Sequence, residues 1–171
     1  LFLEYAKVSH CKLFSVDNID YQNKFINPNW KFIHCRDDDF SFVKSKIPSK
    51  FNLILLDTIH EAKHVEKIIY AYYDSLEVNH CFFIDDISWL PYLKNSDKNR
   101  FYAEVNNYET FNKILKIYLN NQENIKLEFN FHGTGMCKIK KISNLTLNKT
   151  RKIVTRFNSI KNILRVIFRN R

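Results

Sequence analysis

The chain has 171 residues, enough for one domain with a real core, and its 45% hydrophobic and 15% aromatic content is that of a globular protein. No apolar run approaches the roughly 18 residues of a membrane span, and no basic, apolar, small-residue leader opens it. The net charge of +9 is local: from Lys149 onward there are eight Lys/Arg and no Asp/Glu, while the first 148 residues carry 19 basic and 18 acidic side chains, a net of +1. That distribution argues against a nucleic-acid enzyme, which spreads positive charge over a binding face.

In chain order, Phe2, Leu3, Tyr5 and Ala6 read as part of a helix, and Lys12 to Val16 as a strand ending at Asp17. Residues 18 to 28 are polar and irregular, with room for a short helix. Trp30 to Cys35 is a second strand, followed by Arg36-Asp37-Asp38-Asp39, and Phe51 to Leu56 is a third. Residues 60 to 77 repeat apolar side chains at helical spacing (Val65, Ile68, Ile69, Tyr72, Tyr73, Leu76). Cys81 to Ile84 is a fourth strand and Tyr102 to Asn120 a second long helix. Leu127 to Phe131 alternates with period two and turns through His132-Gly133-Thr134-Gly135 into Met136 to Lys140, a hairpin.

The four cysteines (Cys11, Cys35, Cys81, Cys137) are widely spaced, with no CxxC pair, and each falls in or beside an expected strand. Buried, reduced thiols and a cytoplasmic location are therefore expected. Only two glycines occur, both late, and the chain begins at Leu1 inside a helical pattern. Both features lead us to expect that an N-terminal part is missing.

The chemistry concentrates between Phe51 and Trp89. Two apolar runs, Leu53 to Leu56 and Cys81 to Ile84, end in acid, at Asp57 and at Asp85-Asp86, with a crossover helix between them. Continuous apolar runs joined by a helix read as buried parallel strands, and ligands bind outside the carboxyl ends of such strands.

Strand-Asp17, strand-Asp37-Asp38, strand-Asp57-Thr58-Ile59-His60, helix, strand-Asp85-Asp86, helix and terminal hairpin together resemble the class I S-adenosylmethionine-dependent methyltransferases. The likeness is to small-molecule types whose fourth strand ends in a D-G-x-H motif and whose fifth ends in Asp-Asp, and it covers roughly residues 10 to 141. The sequence departs from that pattern in two places: Thr58 stands where the glycine is usual, and the first strand with its glycine-rich loop is absent.

The resemblance implies a doubly wound, mostly parallel α/β sheet ending in an antiparallel hairpin, first strand missing, over residues 1–148. A basic amphipathic helix follows over 149–171. It implies S-adenosylmethionine as cofactor, with Asp17 on the ribose hydroxyls and Asp37 or Asp38 on the adenine amino group. Asp57, Asp85 and Asp86 would hold Mg2+, and His60 would act as general base beside Asp57. Methyl transfer to a small-molecule or glycan-type acceptor, at oxygen, is the expected activity. The competing expectation is a truncated relic or interaction module that keeps the fold without turnover.

His60-Glu61-Ala62-Lys63-His64 also matches the H-E-x-x-H zinc hydrolase motif. Its position at a helix start, with Lys63 and Glu66 beside a His64 that reads as solvated, argues against that use. In the tail, Ile153, Phe157, Ile160, Leu164 and Ile167/Phe168 form one stripe among Arg and Lys. Such a helix either lies on an anionic membrane, contacts a protein partner or packs on its own domain.

Overall fold

A computed structural model describes residues 2–90, 101–149 and 160–169. The elements are α1 (Phe2–Ser9), β1 (Leu13–Asp17), β2 (Trp30–His34), α2 (Phe40–Lys46), β3 (Phe51–Leu56), α3 (Ala62–Tyr72), β4 (Leu76–Asp85), α4 (Phe101–Asn120), β5 (Ile125–Asn130), β6 (Met136–Lys141) and α5 (Ile160–Arg169). A 3-10 turn, Tyr73–Ser75, joins α3 to β4.

The strands form two sheets. β1 and β2 pair in parallel, Leu13 opposite Trp30 through Asp17 opposite His34. The other sheet runs β3-β4-β6-β5. β3 and β4 are parallel, with Leu56 opposite Ile84, so Asp57 and Asp85 leave the same edge. β6 returns antiparallel to both β4 and β5. Among the described residues β1 and β3 do not pair with each other; the edge-on rings of Phe14 and Phe51, 6.1 Å apart, meet between them.

The register explains the core. Ile54, Leu56, Phe82, Ile84, Cys137 and Ile139 share one face of the larger sheet, because their partners across the ladders are one another. That face packs with Val65, Ile68, Ile69 and Tyr72 of α3 and with Ile114 and Ile117 of α4. Burying each large aliphatic side chain contributes about 1.5–3 kcal/mol. The opposite face is open at β3, where Leu53 and Leu55 are 51% and 40% exposed. Among the described residues the wound layer is therefore one-sided at β3, where the sequence implies cover on both faces.

Three boundaries depart from expectation. α2 lies where no element was expected; Asp39 caps it, its carboxylate accepting from the Phe42 N–H at 3.3 Å. The long helical pattern over 60–77 stops at Tyr72, and β4 starts at Leu76, five residues before its apolar run. Nor are the thiols uniformly buried: all four are free, Cys137 is buried, Cys35 and Cys81 are half-buried, and Cys11 is exposed because it lies past the end of α1. Burial, with Asp39 and Asp37 nearby, pushes the Cys35 thiol up from its ordinary pKa.

Candidate functional site

Four parallel strands deliver their acids to loops at the carboxyl edges: Asp17 ends β1, Asp37 and Asp38 follow β2, Asp57 follows β3, and Asp85-Asp86 close β4. One polar cluster ties the edge of the small sheet to that of the large one. The Asp37 Oδ2 accepts from the Thr58 hydroxyl at 2.5 Å and lies 3.0 Å from His64 Nε2. The Tyr72 hydroxyl donates to the Asp37 carbonyl at 2.9 Å. His64 is 7% exposed, not solvated. The spacing explains this: His64, Ile68 and Tyr72 fall at i, i+4 and i+8, so His64 heads the buried stripe of α3. A buried imidazole needs a partner, and Asp37 supplies it.

His60 precedes α3 and faces the other way. Its Nε2 lies 3.0 Å from the Asp86 Oδ2, both side chains being partly exposed. Asp86 adopts φ +55°, a left-handed conformation that Asp tolerates better than most residues. The carboxylate is placed to orient the imidazole at the edge of β4. His60 and His64 therefore serve different carboxylates from different elements, and they do not share a helix face. Among the described residues no group of three or more His, Cys, Asp and Glu side chains is placed to hold a metal ion. The two histidines of H-E-x-x-H are thus not brought together among the described residues.

The same observation bears on Asp57, Asp85 and Asp86. Asp85 Oδ1 accepts from the Asp86 N–H at 2.9 Å and from the Thr134 hydroxyl at 3.3 Å, and Asp86 is held by His60. Asp57 is exposed. Two of the three acids expected to hold Mg2+ thus also have protein partners.

The acids expected at the cofactor differ in freedom. Asp17 Oδ1 accepts from the Ile19 N–H at 2.8 Å, forming an Asx turn. Asp38 is held two-pronged by Arg36, Nε to Oδ1 at 2.8 Å and Nη2 to Oδ2 at 3.0 Å. The Arg36 guanidinium holds the Asp38 carboxyl below its ordinary range. Asp37 uses only Oδ2, and no bond to its Oδ1 is seen among the described residues.

The sequence places the hairpin loop at His132-Gly133-Thr134-Gly135 but does not show that it closes on the end of β4. Ser88 N donates to the Thr134 carbonyl at 2.7 Å, and Ile87 N to that of Gly135 at 3.4 Å, so the loop seals the end of β4. A Cβ at Gly135 would stand 2.5 Å from Ser88 N, and its φ is +82°. The lone Gly-x-Gly of the chain was the available signal. Beyond Ser88, Trp89 meets the rings of Tyr108 at 5.1 Å and Phe111 at 5.7 Å. Two open cavities, of about 570 Å³ along α5 and about 390 Å³ at the amino ends of β1 and β2, both lie away from the acids.

Comparison with solved structures decides the fold. An SAH-bound methyltransferase from Podospora anserina aligns with TM-score 0.63 and 12% identity, over 82% of this chain and 64% of that one. A protein from Staphylococcus aureus described as a caffeoyl-CoA O-methyltransferase aligns with TM-score 0.59 and 10% identity, over 81% and 69%. The chain has the class I methyltransferase fold. The MycE methyltransferase of mycinamycin biosynthesis, solved with Mg, SAH and mycinamycin VI, aligns with TM-score 0.53 and 14% identity, over 85% of this chain and 39% of its own. This chain therefore spans less than two thirds of the Podospora and MycE structures. No family model and no curated protein matches the sequence. No described helix is long and apolar enough to cross a membrane.

Proposed function

We propose that this chain forms the carboxyl-edge part of an S-adenosylmethionine-dependent methyltransferase that acts at oxygen on a small-molecule or glycan-type acceptor. The observation that carries the reading is the His60–Asp86 pair, 3.0 Å apart, beside the row of strand-end acids. The structural neighbours, several holding SAH and two described by small-molecule acceptors, support the class of chemistry.

S-adenosylmethionine supplies a sulfonium methyl group open to in-line attack by a nucleophile. On this reading Asp17 accepts the ribose hydroxyls, and the Asp37 Oδ1 accepts from the adenine amino group. Thr58 and His64 hold the other Asp37 oxygen, so the carboxylate is oriented before the nucleoside arrives. Asp38, matched to Arg36, is left out. His60 would take the proton of the acceptor hydroxyl as that oxygen attacks the sulfonium methyl and the carbon–sulfur electron pair leaves with sulfur. Asp86 stabilises the imidazolium that results. No step is assigned to Mg2+; Asp57, Asp85 and Asp86 are the residues that would hold it.

On this reading the edges of β1 and β3 without a ladder partner among the described residues would receive the first strand and glycine-rich loop of the resembled family. The relic reading draws on those same edges, and turnover separates the two. With radiolabelled S-adenosylmethionine and a panel of hydroxylated acceptors, His60→Gln should lower methyl transfer about 10²–10⁴-fold while leaving SAH affinity within about twofold. Transfer by the variant at the parent rate would remove His60 from the chemistry; a folded protein that binds SAH but never turns over would favour the relic.

A further inference from the structure

We infer that α5 is a docking element for anionic lipid surfaces, a second function carried by the tail and independent of the transfer site. Ile160, Leu164, Ile167 and Phe168, at i, i+4, i+7 and i+8, are 78%, 46%, 53% and 66% exposed. Lys161 and Arg165, one turn apart, stand exposed on the neighbouring face and share the open hollow of about 570 Å³ with Leu164 and Phe168. The helix therefore does not hide its apolar stripe on its own domain, which was one of the expected arrangements.

Charge identifies the occupant. Lys149 to Arg171 carries eight cations and no anion, while the body carries a net of +1. The near-neutral body offers no acidic surplus to draw the tail back. A second copy seated on this face would set Lys161 and Arg165 against like charges. A surface that is both uniformly anionic and able to take in Leu164, Ile167 and Phe168 is the headgroup boundary of a bilayer containing acidic lipids. There the apolar stripe enters the acyl layer while the cations stay at the phosphates.

Cosedimentation of the full chain with vesicles tests this. The chain should pellet with phosphatidylserine–phosphatidylcholine vesicles and not with phosphatidylcholine alone, and raised salt should release it. The double charge reversal Lys161→Glu with Arg165→Glu should weaken binding by at least about tenfold, since each cation near such a surface is worth about fivefold. Leu164→Glu should do the same through the apolar stripe, with the melting transition of the body unchanged. Absence of binding to acidic vesicles, equal binding to neutral ones, or undiminished binding of Leu164→Glu would each overturn the proposal. So would a lipid-free dimer that Leu164→Glu dissolves, since the stripe would then be covered by a second copy.

Discussion

Thr58 stands where the resembled family has glycine, and the structure gives the substitution a consequence: its hydroxyl donates to the one Asp37 oxygen that also faces His64. Losing one hydrogen bond to a charged group costs about 1.5–3 kcal/mol. Thr58→Val keeps the shape and removes the donor, so we expect SAH affinity to fall about tenfold or more in a calorimetric titration while the acceptor KM stays unchanged. Unaltered SAH affinity would show that Asp37 needs no such support. At this scale the acids were legible, because an apolar run that ends in Asp announces its own strand end. The role of His64 was not: judged by its neighbours Lys63 and Glu66 it reads as solvated, and only its fourfold spacing to Ile68 and Tyr72 puts it on the buried stripe. The freedom of Asp37 and the engagement of Asp38 depend on side-chain partners, and no spacing rule separates two adjacent acids.

At the scale of elements, the hairpin between β5 and β6 does more than end the sheet. Its loop donates the Thr134 hydroxyl to Asp85 and closes over Ser88, which is possible only because Gly135 approaches the backbone at Ser88 with φ +82°. Gly135→Ala meets both a steric clash and a left-handed backbone, and we expect it to destabilise the fold by about 1–3 kcal/mol. Denaturant melts of the variant measure this directly; a midpoint equal to the parent's would mean the loop is free to move away from β4. α3 and α4 were readable from helical periodicity, and β3 and β4 from continuous apolar runs, since these elements face the same core. α2 was not, because seven residues give too few turns for a period to show; its signal was the capping Asp39 ahead of Phe40 and Val43. The early start of β4 was hidden by Glu77 and Asn79, polar residues that extend a strand beyond its apolar run.

For the whole molecule, the unusual feature is a sheet in two pieces whose carboxyl edges are joined by side chains rather than by a ladder. β4 is bonded on both sides, to β3 and β6, whereas among the described residues β1 and β3 each have one bonded side. Unpaired strand edges are open to water and to other chains. In residues 1–171 we therefore expect β4 amides to exchange with solvent at least about tenfold more slowly than the amides of β3 that face β1. Uniform protection along β3 would mean that its second edge is covered. The parallel order of these strands followed from their apolar runs and crossover helix, but the split between β1 and β3 is a matter of long-range pairing, on which local pattern is silent.

The central claim is that the strand-end acids form a nucleoside site, and a calorimetric titration of SAH into the protein and into its Asp17→Ala and Asp37→Asn variants tests it most directly. The account predicts saturable binding to the parent, weakened about 5- to 150-fold in each variant while both remain folded. A folded parent that gives no binding heat, or variants that bind SAH as tightly as the parent, would contradict it.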